Sequence, residues 1–96
     1  MGTGGIDGLT VWAQFRDDGS FELEGVHRGA GAHVGREDYE YFIKVAPEHL
    51  PALATALGCA VDGILEAWSA QQDDIVRHGE RRWLEEHGVT SSLYVV

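Results

Sequence analysis

Three features of this 96-residue sequence predict an α+β domain, with an antiparallel sheet of three to four strands and helices packed on one face. Apolar and polar residues alternate with period two from Leu9 to Arg16, from Ser20 to Val26 and again from Tyr39 to Ala46. After Pro47 the apolar spacing lengthens to that of helices, interrupted at Gly58, Gly79 and Gly88. An apolar run, Leu93-Tyr94-Val95-Val96, then returns as a strand. The element order is β-β-β-α-α-α-β, in a single domain over residues 9–96 behind a flexible lead-in of residues 1–8, which hold four glycines.

The first strand, Leu9 to Arg16, sets Leu9, Val11, Ala13 and Phe15 against Thr10, Trp12, Gln14 and Arg16. The second, Ser20 to Val26, sets Phe21, Leu23 and Gly25 against Glu22, Glu24 and Val26. The loop between them decides the register. A two-residue Asp-Gly turn would put Phe15 opposite Glu22, an apolar face against a carboxylate. A three-residue loop, with Gly19 left-handed in a G1 bulge, pairs Arg16 with Ser20 and Phe15 with Phe21. Every apolar side chain then lands on one face, so the three-residue loop is expected.

Residues 27–38 form a glycine-rich connection without periodicity. Tyr39 to Ala46 is the clearest strand, with Tyr39, Tyr41, Ile43 and Val45 inward and Glu40, Phe42 and Lys44 outward. Pro47 opens the first helix, which carries Leu50, Leu53, Ala54 and Leu57 and ends at Gly58. Pro51 fits if that helix begins near Glu48. A second helix runs from an Asp62 N-cap to His78 with an apolar stripe of Ile64, Leu65, Trp68, Ile75 and Val76. The third, Glu80 to His87, carries Trp83 and Leu84. Val89 to Val96 closes the sheet. If both interhelical caps hold, this last strand is expected parallel to the third; fusion of the last two helices would reverse it.

Composition bounds the function. A chain of this size buries about 64% of its unfolded surface, and 44% hydrophobic residues suffice for a core. Sixteen acidic against seven basic residues give a net charge of −9, spread as −5 up to Glu48 and −4 after it. Such a field repels phosphate backbones and anionic lipid, so neither nucleic acid nor a membrane is an expected partner; a basic protein is. No apolar run reaches the roughly 18 residues of a membrane span and no secretory signal opens the sequence. One cysteine, Cys59, allows no internal disulfide, and a cytoplasmic protein is expected.

The chemistry-bearing residues mostly have simpler explanations. Gly29-Ala30-Gly31-Ala32-His33-Val34-Gly35 misses the dinucleotide pattern by one residue and precedes a strand, whereas a pyrophosphate loop needs a helix behind it. His27, Arg28, His33 and Arg36 make that loop the one locally basic patch, with His33 and Arg36 as candidate ligand contacts. The histidines show no HxH or HxxxH spacing, so no metal site is expected. His78-Gly79 and His87-Gly88 read as helix ends, imidazole in the last turn and glycine beyond it. Asp17-Asp18, Asp73-Asp74 and Glu85-Glu86 are adjacent carboxylates that diverge in direction. No catalytic residue and no cofactor are expected.

What remains unexplained is the sheet face turned away from the helices. It carries Trp12, Val26 and Phe42 among Gln14, Arg16, Glu22, Glu24, Glu40 and Lys44. Aromatic anchors ringed by charge on a face that a two-layer domain leaves wet resemble an interaction surface. Its expected partner-binding residues are Trp12, Glu22, Glu24, Glu40 and Phe42. Dimerisation by sheet stacking, or a chain segment folded over the aromatics, are the alternatives.

Three segments resemble a group of small, acidic, mostly uncharacterised proteins of high-GC Gram-positive bacteria: FRDDGSFELEG from Phe15 to Gly25, YEYFIKVAPEHLPALATALG from Tyr39 to Gly58, and WLEEHGV from Trp83 to Val89. The segment from Ser91 to Val96 departs from that pattern. The resemblance brings no catalytic residue with it. Size, acidity and layout are also similar to those of bacterial immunity proteins, which block toxins through acidic surfaces; this is a likeness of class. The function expected is a non-enzymatic protein-binding module, immunity-like in action, working through the acidic-aromatic face. A small-ligand protein or enzyme using residues 27–38 and the adjacent helices is one alternative. A structural homodimer is another.

Overall fold

Strict alternation leaves the first hairpin one register that keeps its apolar residues on a single face, and this register is adopted. In a computed structural model, which describes residues 4–6, 9–27 and 39–96, β2 (Leu9–Phe15) and β3 (Phe21–His27) pair antiparallel. Phe15 lies opposite Phe21, Ala13 opposite Leu23 and Val11 opposite Gly25. The loop has the expected three residues: the Arg16 N–H donates to the Ser20 carbonyl (2.8 Å), the Gly19 N–H to the Arg16 carbonyl (2.9 Å), and Gly19 sits at φ 87°. β4 (Tyr39–Val45) and β5 (Ser92–Val95) continue the antiparallel sheet. A three-residue strand, β1 (Gly4–Ile6), pairs with β2 inside the segment expected as a flexible lead-in, so the sheet has five strands where three to four are expected. The order is β1-β2-β3-β4-β5.

The helical segment begins with a 3₁₀ turn, Pro47–His49, and passes into α1 (Leu50–Leu57), where Pro51 lies in the first turn and loses no helical hydrogen bond. Gly58, at φ 78°, ends α1; its N–H and that of Cys59 donate to the carbonyls of Thr55 and Ala54. A second 3₁₀ turn, Val61–Gly63, precedes α2 (Ile64–His78). The N-cap is Gly63 with no side-chain cap, so Asp62 does not take the expected role: the tighter turn carries it one residue too early. Leu65 is also exposed. The buried stripe is Ile64, Trp68, Gln72 and Ile75, and its third position is a glutamine. Gly79 (φ 104°) separates α2 from α3 (Glu80–Glu86), and Gly88 (φ 74°) follows α3. The Val89 N–H then donates to the Leu84 carbonyl, and Val89 is buried, so the last strand starts at Ser92 and not at Val89.

The core lies between the helices and the odd-numbered face of the sheet: Val11, Phe21, Leu23, Ile43 and Val45 meet Leu50, Leu53, Ile64, Trp68, Ile75 and Leu84. β5 runs antiparallel to β4 although both caps hold, which corrects the expected parallel orientation. That expectation treated each helix as a full reversal of the chain. The Pro47–Leu57 and Val61–His78 segments are instead bent by 75° to each other, so helix count does not set the direction of return. Among the described residues, no single helix is long and apolar enough to cross a membrane.

Candidate functional site: the open face of the sheet

The even-numbered residues of β2 to β5 point away from the helices, and the register arranges them in rows across the strands. The central row is Trp12, Glu24, Phe42 and Tyr94, one residue from each of four consecutive strands. Trp12 is 41% exposed and Tyr94 66%, while Phe42 between them is half-buried. The Phe42 and Tyr94 rings stand 6.3 Å apart, tilted by 33°. Glu24 therefore occupies the gap between two aromatic side chains. Among the described residues nothing hydrogen-bonds to its carboxylate or pairs with it.

The row on the hairpin side is Gln14, Glu22, Lys44 and Ser92. Its charges satisfy one another. Glu22 accepts from Gln14 Nε2 and from Arg16 Nη1, each at 3.2 Å. Lys44 Nζ reaches Asp18 Oδ2 at 3.1 Å. Asp18 Oδ1 also accepts from the Ser20 hydroxyl (2.6 Å) and the Ser20 N–H (2.9 Å). These bonds from Ser20, joined by Lys44, hold the Asp18 carboxyl well below the usual carboxylate range. The row on the other side joins Thr10, Val26 and Glu40, and the Glu40 carbonyl accepts from the Val96 N–H at 2.9 Å. Val26 is buried and adds nothing to the exposed surface, contrary to its expected place among the aromatics.

All five sequence-predicted partner residues thus share one face. Trp12, Glu24 and Phe42 share one row, with Glu22 and Glu40 in the rows on either side. Their states differ: Glu22 is engaged by Arg16 and Gln14, whereas Glu24 is open to a new cation. Tyr94 completes the row and escaped the sequence reading because its placement depends on which strand β5 joins. His33 and Arg36, with most of residues 27–38, lie outside the described residues. Among the described residues, no group of three His, Cys, Asp or Glu side chains could hold a metal ion. His87 serves as a helix end: its Nδ1 donates to the Trp83 carbonyl at 2.8 Å while its ring stacks on Trp83 at 4.2 Å. His78 Nε2 meets Glu86 at 2.8 Å.

On the opposite side, a groove of about 500 Å³ opens between β5 and the α2–α3 junction, with Tyr41, Ile43, Leu93 and Val95 on one wall and residues 78–82 on the other. Comparison with family models, with curated proteins and with solved structures returns no match. The site therefore stands on its own geometry: an exposed aromatic row holding Glu24, whose carboxylate meets no partner among the described residues, beside the paired charges of Arg16 with Glu22 and Lys44 with Asp18.

Proposed function

We propose that the chain is a non-enzymatic, cytoplasmic protein-binding module whose binding surface is the open face of the sheet. The observation that carries this reading is the row Trp12–Glu24–Phe42–Tyr94, three aromatic residues and a carboxylate on a face that no helix covers among the described residues. Aromatic side chains give up water at little entropic cost, which suits them to the centre of an interface. A lysine or arginine from a partner can pair with Glu24 while its stem and charge rest on Trp12 or Phe42. The net charge of −9 favours encounter with a basic protein. The single cysteine suits a reducing compartment. An immunity-like action, with a basic toxin as partner, is one form of this reading.

The test is capture of partners from the native host with the wild-type chain and with Trp12→Ala, Glu24→Lys and Phe42→Ala, followed by affinity measurement on the purified partner. The expected result is one partner lost with all three variants while their circular dichroism and melting stay close to wild type. Equal binding by wild type and the three folded variants would overturn the reading.

A further inference from the structure

We propose that β5 pairs with β5 of a second copy of this chain, antiparallel about a two-fold axis at Tyr94, joining two five-stranded sheets into one. β5 is an edge strand, and among the described residues nothing pairs with its outer side. The bond from the Val96 N–H to the Glu40 carbonyl fixes which way its amides face. Backbone direction alternates along a strand, so Ser92, Tyr94 and Val96 turn their amides toward β4, and Leu93 and Val95 turn theirs to the free edge. Exposed edges of this kind are normally protected by a charge, a proline or a bulge. Residues 89–96 contain no charged side chain and no proline. Instead Leu93, Tyr94, Val95 and Val96 are 45%, 66%, 56% and 67% exposed.

The occupant is a second copy, because local charge at this edge does not oppose it and the strand is complementary to itself. Two chains of net charge −9 repel each other over most of their surfaces. Beside β5, however, charge is largely balanced within the chain itself: His78 meets Glu86 at 2.8 Å, Arg81 lies 3.8 Å from Glu85, and Glu80 is buried against the Tyr41 hydroxyl. On the open face the neighbouring β4 residues are one of each sign, Glu40 and Lys44. This edge is where two acidic copies meet with little repulsion.

The strand also matches itself. With the axis at Tyr94, Leu93 of each copy faces Val95 of the other, and the outward amides exchange four hydrogen bonds within the span of β5. A two-fold axis perpendicular to the sheet keeps both helical layers on the same side. Leu93 and Val95 then cover their counterparts along the groove. The two Tyr94 side chains become cross-strand neighbours on the open face, so the row Trp12–Glu24–Phe42–Tyr94 runs on without a break into the second copy. Pairing of a four-residue strand covers less than a standard interface, so the dimer is weak and concentration-dependent.

Sedimentation velocity from on the order of 1 µM to 1 mM reads this directly. The wild-type chain is expected to shift from monomer to dimer across that range, and Trp12→Ala to shift alike, which separates the edge from the proposed partner-binding face. Val95→Pro removes an outward N–H and no amide facing β4, so it is expected to stay monomeric with unchanged circular dichroism. A wild-type chain that remains monomeric throughout, or a folded Val95→Pro that still dimerises, overturns the proposal. Should Val95→Pro not fold, Tyr94→Cys in a Cys59→Ser background gives an independent reading. Opposed residues at such a pair have Cα atoms about 4.5 Å apart, within disulfide reach. A covalent dimer is expected to form at least ten-fold faster than with Leu93→Cys, which faces Val95; equal rates overturn the pairing.

Discussion

The ring of Tyr41 lies across Gly25 on the neighbouring strand, and its hydroxyl donates to the buried Glu80 of α3 at 2.5 Å. One side chain thereby covers a glycine inside the sheet and ties β4 to the helical layer. A methyl group at position 25 would overlap Tyr41 Cζ, so the ring cannot keep its place over any other residue. Gly25→Ala is expected to destabilise the fold by about 1–3 kcal/mol through this overlap. Tyr41→Phe, which keeps the ring and loses the bond to Glu80, is expected to cost about 1–3 kcal/mol. Because the first change displaces the hydroxyl that the second removes, the two are expected to be less than additive in a double-mutant cycle followed by urea denaturation.

Asp18 provides a pH-dependent test of the hairpin. Its carboxyl is held below the ordinary value of 3.8 by the Ser20 hydroxyl, the Ser20 N–H and Lys44. A carboxylate with a lowered folded-state pKa contributes stability that is fully present above its unfolded value and is lost as the pH falls toward the folded value. Asp18→Asn keeps an acceptor for Ser20 and removes the charge that meets Lys44. Thermal melts are expected to show the wild type ahead of Asp18→Asn above about pH 4, the gap narrowing as the pH drops below it. A gap that stays constant down to pH 2 would show that the Asn side chain disturbs the turn by some route other than charge.

The hairpin was legible because everything that sets it is local. Gly19 can take a left-handed conformation, Asp17-Asp18 suits the turn before it, and only one loop length keeps Phe15, Phe21, Ala13 and Leu23 on one face. The same register put Trp12 beside Glu24, so the heart of the candidate site followed from two strands and their turn. Features that depend on distant parts of the chain were not legible. Tyr94 enters the aromatic row only because β5 docks on β4, and the direction of β5 depends on the 75° bend between helices, which no residue pattern encodes. The Tyr41–Glu80 bond spans 39 positions, and to a periodicity argument Glu80 is simply an acid in the first turn of a helix. Gln72 reads as a polar interruption of the α2 stripe until Trp68 is seen donating to it at 2.9 Å and the Val11 carbonyl accepting from it at 3.4 Å.

Trp12 and Trp68 offer the sharpest contrast between a residue that holds the fold and one free to act at a surface. Trp68 has no exposed surface; it meets Phe21 and Trp83 edge-on and is anchored through its indole N–H to Gln72. Trp68→Ala removes the largest buried side chain and opens a cavity under the sheet, with an expected loss of about 3–5 kcal/mol. Trp12 stands on the other side of the same sheet with 41% of its surface in water. Its truncation to Ala removes cross-strand contact with Glu24 but leaves no enclosed void, so the expected loss is about 1 kcal/mol or less. Urea denaturation of the two variants measures both quantities on one scale. A Trp12→Ala loss close to that of Trp68→Ala would make the indole a structural plug and remove the open face as a binding surface. The expected gap of several-fold leaves Trp12 stabilising little in the isolated chain, which is the condition for it to be buried by a partner instead.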